Sequence, residues 1–121
     1  MSLAFSSDGL YLASGSGDET IKLWEINTGR LVLTLENNGI VKALAFQPFT
    51  SVLVSGGFDK KIRLWDFKSG TLLHTLIGHE GWISSLEFSP DGQVLASSSE
   101  DQTIRLWGNS NLWDRWDSIP F

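Results

Sequence analysis

Apolar and polar residues alternate strictly along three short stretches. Ile21 and Leu23 share one face against Lys22 and Trp24 on the other. Ile62 and Leu64 likewise oppose Arg63 and Trp65, and Ile104 and Leu106 oppose Arg105 and Trp107. A period of two over five residues, bounded by turn residues, predicts a strand. The surroundings of each strand repeat as well. The stretch from Ser55 to Asp66 has counterparts from Ser14 to Glu25 and from Ser97 to Gly108, with the same Asp-to-Trp spacing. From the first copy to the second every landmark moves by 41: Phe5 to Phe46, Asp18 to Asp59, Trp24 to Trp65. From the second to the third the shift is 42: Phe46 to Phe88, Asp59 to Asp101, Trp65 to Trp107. The added residue falls between copies, because Leu35 to Leu44 spans nine positions and Leu76 to Leu86 spans ten.

Each copy divides into four short segments. The first ends at Phe5, Phe46 or Phe88 and leads into a turn. Ser7-Asp8-Gly9 and Pro90-Asp91-Gly92 carry the residues for a preset bend and a positive φ. Copy two has Pro48-Phe49-Thr50 there, which predicts a turn of another type. The second segments run from Tyr11, Val52 and Val94 to Ser14, Ser55 and Ser97. The alternating strands form the third segments. The stems of Lys22, Arg63 and Arg105 are expected to cover apolar surface while their charges reach water. After Asn27-Thr28-Gly29 and Lys68-Ser69-Gly70 come the fourth, Leu31 to Leu35 and Leu72 to Leu76, the latter with His74 facing solvent. Helical periodicity is absent throughout. Four short strands in about 40 residues predict an all-β fold of four-stranded antiparallel blades, as in a propeller.

These residues resemble a known family. Phe88-Ser89-Pro90-Asp91-Gly92, Leu95-Ala96-Ser97, Asp101 to Trp107, the Trp65-Asp66 pair and Gly78-His79 look like WD40 repeats. The resemblance covers residues 1 to about 107. It implies about three WD40-type β-propeller blades: 1–36, lacking the start of its first strand; 37–77; and 78–107. Residues 108–121 form a divergent tail in which Leu112, Trp113 and Trp116 are candidates for a fourth strand.

The resemblance also implies a structural tetrad of His, Ser, Asp and Trp in each blade. In copy three these are His79, Ser97, Asp101 and Trp107. Copy two has Ser55, Asp59 and Trp65, but its His position falls in Glu36-Asn37-Asn38-Gly39. Either Asn37 or Asn38 must substitute there or leave the network short. Copy one has Ser14, Asp18 and Trp24 with no preceding segment to supply a His, so blade 3 is expected to be the best tied. His79, Ser97 and Asp101 also have the residue types of a nucleophilic triad. A triad needs its Ser exposed beside an oxyanion hole. Here Ser and Asp recur in every copy and the Ser falls within a strand, so a buried polar network is expected and no catalytic residue.

Composition narrows the function further. A net charge of −5 with nine scattered Lys and Arg argues against nucleic acid, whose affinity comes from neutralised phosphates. The absence of Cys removes disulfides and thiolate metal sites. Two His, far from any paired carboxylate, suggest no metal site, and no cofactor is expected. Lacking a signal segment or an apolar run long enough for a membrane span, the chain is expected to be soluble and cytoplasmic.

The family resemblance therefore implies a rigid, non-catalytic scaffold for protein partners, whose identity is unknown. By position, binding would use the turn before each blade and the turn between its second and third strands. That places Glu80 and Trp82 before blade 3, with Asn38 and Ile40 before blade 2. The second-to-third-strand turns add Gly17, Phe58 and Glu100. Trp82 and Phe58 stand out, because Trp is enriched at binding hot spots and an exposed turn-tip aromatic is costly. Three blades do not close a ring, since propellers have roughly four or more. The chain is thus expected to be a fragment of a longer propeller. The alternative is a homo-oligomer closing a six- or nine-bladed ring.

Overall fold

A computed structural model describes residues 1–109 and 116–119, the side chains of Asn109 and of residues 116–119 excepted. The described residues form twelve strands and no helix. They are β1 (Ser2–Phe5), β2 (Tyr11–Gly15), β3 (Thr20–Glu25), β4 (Leu31–Glu36), β5 (Val41–Phe46), β6 (Val52–Gly57), β7 (Ile62–Asp66), β8 (Thr71–Leu76), β9 (Ile83–Phe88), β10 (Val94–Ser99), β11 (Ile104–Asn109) and β12 (Trp116–Ile119). Consecutive strands pair antiparallel into three four-stranded meanders, β1–β4, β5–β8 and β9–β12. The all-β blade fold expected from the repeat is what the chain adopts. In the tail, Trp116 opens β12, which pairs with β11; Leu112 and Trp113 lie outside the described residues.

Turn chemistry explains the meander. Gly29 (φ 71°) and Gly70 (φ 77°) close the β3–β4 and β7–β8 turns, donating N–H bonds to Glu25 and Asp66 carbonyls at 2.9 and 2.8 Å. Both hairpins then carry a bulge at the same step, Leu23/Trp24 and Leu64/Trp65. A left-handed Gly followed by a bulge is a common way to keep hairpin strands in register. The β5–β6 turn does differ from its counterparts. Where Gly9 and Gly92 take the positive φ in the other two blades, blade 2 uses Phe49 (φ 66°), whose side chain is exposed.

Alternation divides each blade into two faces, and the faces make the core. Ala13, Ile21, Leu23 and Leu35 of blade 1 pack against Leu44, Phe46, Leu53 and Trp65 of blade 2. The opposite face of blade 2, with Val52, Val54, Ile62 and Leu64, packs against Ile83, Leu86, Leu95 and Trp107 of blade 3. Trp65 and Trp107 thus face the preceding blade, and the Ile21/Leu23 and Ile62/Leu64 pairs the following one. Two glycines permit the close approach. A Cβ on Gly15 would lie 2.4 Å from Val41, and one on Gly56 would lie 2.8 Å from Ile83. Val41 and Ile83 are the first residues of β5 and β9. The two outer faces of the stack are uncovered: Leu3 and Phe5 are 62% and 69% exposed at one end, and Ile104 is 57% exposed at the other.

The basic residues of the alternating strands do not behave alike. Lys22 is half-exposed, but Arg63 is buried and does not extend its charge to water. Its Nη2 instead lies 2.7 Å from Asp59 Oδ2, while Nη1 has no hydrogen-bond partner. His74, expected to face solvent on its outer strand, is half-buried.

Candidate functional site

Two constellations merit a functional reading, a polar network that is buried in blades 2 and 3 and reduced in blade 1, and an aromatic cluster at the blade 2–blade 3 junction. Register builds the first. Opposite β10, Leu95 pairs with Trp107 and Ser97 with Arg105, so the indole reaches diagonally to Ser97. Trp107 Nε1 donates to Ser97 Oγ at 2.9 Å, and His79 Nε2 lies 2.7 Å from the same oxygen. His79 Nδ1 is 2.9 Å from Asp101 Oδ2. A carboxylate can only accept, so it places the imidazole proton on Nδ1 and lets the Ser97 hydroxyl donate to Nε2. Asp101 also accepts from the Thr103 hydroxyl (2.5 Å), the Thr103 N–H (2.9 Å) and the Glu80 N–H (3.0 Å). The Thr103 hydroxyl above all, then the Glu80 N–H and His79, hold the Asp101 carboxyl well below its ordinary range.

Blade 2 builds the chain differently. Trp65 Nε1 donates to Ser55 Oγ at 3.0 Å, and Ser55 donates to Asn37 Oδ1 at 2.8 Å. Asn37, not Asn38, therefore occupies the histidine position. Its Nδ2 turns to the Gly39 carbonyl (2.8 Å), leaving Asp59 outside the chain. Asp59 is engaged instead by Arg63 and by the Lys61 N–H. The expectation that Asp59 belongs to the tetrad is corrected here: without an imidazole Nδ1 to meet, the carboxylate neutralises the buried guanidinium.

In blade 1 only the Trp24 Nε1 to Ser14 Oγ bond, at 3.1 Å, survives. Asp18 does not join it. It binds the hydroxyls of Ser16 and Thr20, which bring its carboxyl down to about 2, and lies 3.8 Å from Lys22.

The Ser97–His79–Asp101 distances mimic a nucleophile–base–orienter chain. Ser97 is 1% exposed, however, and its oxygen is already shared between an indole donor and an imidazole. A substrate carbonyl has no approach to it. Among the described residues no group of three or more His, Asp or Glu is placed to hold a metal ion.

The second constellation is at the surface. The Phe58 and Trp82 rings meet edge to face with centroids 5.5 Å apart. Phe58 belongs to the β6–β7 turn of blade 2 and Trp82 to the lead-in of blade 3, so the pair spans the junction. Phe58 is 47% exposed and Trp82 half-buried. Matching backbone bonds support both, from the Phe58 N–H to the Ile40 carbonyl (3.1 Å) and from the Glu100 N–H to the Trp82 carbonyl (3.0 Å). Ile40 is half-buried, while Glu80 and Glu100 are exposed on the same lead-in and turn segments of blade 3. Lys42, overlooked in the sequence, joins them: its Nζ lies 5.5 Å from the centroid of each ring. The signal that could have found it is its failure to repeat, since Met1 and Ser84 hold the equivalent positions.

The comparisons with known proteins agree with the geometry. The WD domain, G-beta repeat profile matches residues 1–25, 29–66 and 70–108, so the second and third matches each begin with the last strand of the preceding blade, β4 and β8. The chain belongs to the WD40 family. Among curated WD40-similar proteins, the ribosome biogenesis protein BOP1 homologues of Drosophila virilis and Drosophila mojavensis are 47% identical to it over 47 residues. That of Drosophila melanogaster is 45% identical over the same length. Each match covers 39% of this WD40 chain and only 6% of the relative.

Proposed function

We propose that this WD40 chain is a non-catalytic protein–protein interaction module whose partner surface is centred on Phe58 and Trp82, flanked by Ile40, Glu80 and Glu100. The observation that carries the reading is the half-exposed Phe58 ring held across a blade junction against Trp82. A large apolar side chain left accessible on a rigid scaffold is the usual form of an interface hot spot. The buried Ser97 chain, and its partial copies at Ser55–Trp65 and Ser14–Trp24, are read as structural. Segments 1–36, 37–77 and 78–107 are read as the three blades, with the tail 108–121 supplying β12, the fourth strand of the last blade.

The BOP1 homologues carry the name of a ribosome biogenesis protein, so a particle in ribosome assembly is the first place to seek the partner. Imaging of the tagged protein would decide between that setting and the cytoplasm. The uncovered faces carrying Phe5 and Ile104 are those that neighbouring blades cover inside the stack. We read them as contacts for further blades, from a longer polypeptide or from copies completing six or nine. Light scattering on the purified chain separates a monomer from two or three copies.

Quantitative affinity capture, comparing the wild type with Phe58→Ala and Trp82→Ala, tests the interaction surface. Both variants should keep the far-ultraviolet spectrum and lose a defined subset of partners. An unchanged partner set with an intact fold would refute the surface.

A further inference from the structure

Comparing the three blades position by position separates what the fold needs from what it does not. At the head of blade 2, four residues fail to repeat. Lys42 replaces Met1 and Ser84, Phe58 replaces Gly17 and Glu100, Lys60 replaces Glu19 and Gln102, and Lys61 replaces Thr20 and Thr103. Glu19, Lys60 and Gln102 all adopt positive φ (70°, 71° and 69°), so the turn backbone is common to the three blades and only its side chains change. The substitutions are all basic or aromatic, in a chain whose net charge is −5.

Ion pairing among the described residues joins Lys22 to Asp18, Arg63 to Asp59 and His79 to Asp101. Lys42, Lys60 and Lys61 take part in none of these and are exposed. The Phe58 and Trp82 rings orient the Lys42 ammonium without neutralising it, because a ring face attracts a cation but carries no net charge. The adjoining segments of blade 3 have the opposite sign, with exposed Glu80 and Glu100.

We propose that the head of blade 2 docks an acidic peptide segment of a partner protein. Its carboxylates pair with Lys42, Lys60 and Lys61, and one apolar side chain lies on the Phe58–Trp82 edge. Glu80 and Glu100 repel the acidic end from blade 3 and so set the direction of the segment. A polyanionic nucleic acid would meet the same repulsion along its whole length, with few cations to replace its counterions. The proposal rests on the interaction-module reading and specifies the chemistry of its ligand.

The test is fluorescence anisotropy with the whole chain and labelled nonapeptides. The probes are a Glu/Asp-rich peptide with a central leucine and the same peptide with Gln/Asn for every acid; labelled oligouridine is the third. The acidic peptide should bind at least about tenfold more tightly than the amide peptide, equivalent to about 1.4 kcal/mol. That preference should fall steeply with added salt. Lys42→Gln combined with Lys60→Gln and Lys61→Gln should abolish it without altering the circular dichroism spectrum. Phe58→Ala should weaken both peptides in proportion. Charge reversal to Glu at the three lysines should exchange the preference for a Lys-rich peptide. Equal binding of acidic and amide peptides, no binding of either, or tighter binding of oligouridine would overturn the proposal. If Phe58→Ala and Trp82→Ala still release a protein partner in those cases, the interaction reading stands and only the acidic ligand fails.

Discussion

Blades 2 and 3 hold the same serine and tryptophan in two different ways. Blade 3 runs a continuous chain from Trp107 through Ser97 and His79 to Asp101, so its lead-in is tied to its own turn. In blade 2 the chain stops at Asn37. That residue's backbone N–H bonds the Glu19 carbonyl of blade 1 at 2.9 Å, tying the lead-in to the preceding blade. The Ser–Trp half is therefore the constant part, because a buried indole N–H needs an acceptor in any blade. The half that joins loop to turn is replaceable, and in blade 2 its carboxylate serves another purpose.

The largest difference should appear at the turn-facing end of β6. Gly57 and Ser99 hold equivalent positions, and the Ser99 hydroxyl donates to the Gly81 carbonyl at 2.9 Å. In blade 2 there is no such room, since a Cβ on Gly57 would lie 1.7 Å from the Ile40 carbonyl oxygen. Gly57→Ser, which copies blade 3 into blade 2, should cost about 4 kcal/mol in urea denaturation and displace Phe58. A cost near zero would mean that the two lead-ins are interchangeable.

Next in size is the reassigned aspartate. Asp59→Asn leaves the buried Arg63 guanidinium without a countercharge and should cost about 3 kcal/mol. Asp101→Asn faces no buried permanent cation. The amide still accepts from Thr103, and His79 can shift its proton to the other nitrogen, so this loss should be the smaller one. Stability measured at pH 7 checks the order. Were Asp101→Asn the more damaging, the complete network of blade 3 would be its main support.

Residue pattern alone revealed the three repeats and the strand faces, because these depend on spacing that recurs, whereas the blade 3 network was implied by the resemblance to WD40 repeats. It left Asn37 and Asn38 undecided, since an insertion between copies shifts the frame by one. It also missed the fate of Asp59. The identity of Asp59 is unchanged; what changed is the missing imidazole 22 positions before it and the burial of Arg63 four positions after it. Lys42 was overlooked for a related reason: it lies four positions before Phe46 within a strand, and only folding brings it to Phe58 and Trp82.

Replacing His79 tests how far asparagine can serve. His79→Asn should preserve the acceptor for the Ser97 hydroxyl, as Asn37 does for Ser55, and release only the Asp101 contact. A cost of about 1 kcal/mol is expected. His79→Ala, which leaves Ser97 without its acceptor and opens a cavity, should cost about 3 kcal/mol. Equal losses for the two would show that Asn cannot adopt in blade 3 the geometry it has in blade 2.

Acid separates the partners of Asp101 most finely. Its folded-state affinity for a proton is lowered from the ordinary 3.8, so the folded protein binds that proton less readily than the unfolded chain. The resulting stabilisation is complete above about pH 4 and disappears as pH falls through the depressed range. Asp18, at about 2, contributes in the same direction from blade 1. Urea midpoints should thus be level near neutrality and fall below about pH 4. Asp101→Asn should make that fall shallower. His79→Asn should leave most of it, because the Thr103 hydroxyl and the Glu80 N–H, which outrank His79 as causes, remain in place. If His79→Asn flattens the acid limb as fully as Asp101→Asn, the imidazole governs the carboxylate, and the resemblance between blades 2 and 3 ends at the Ser–Trp pair.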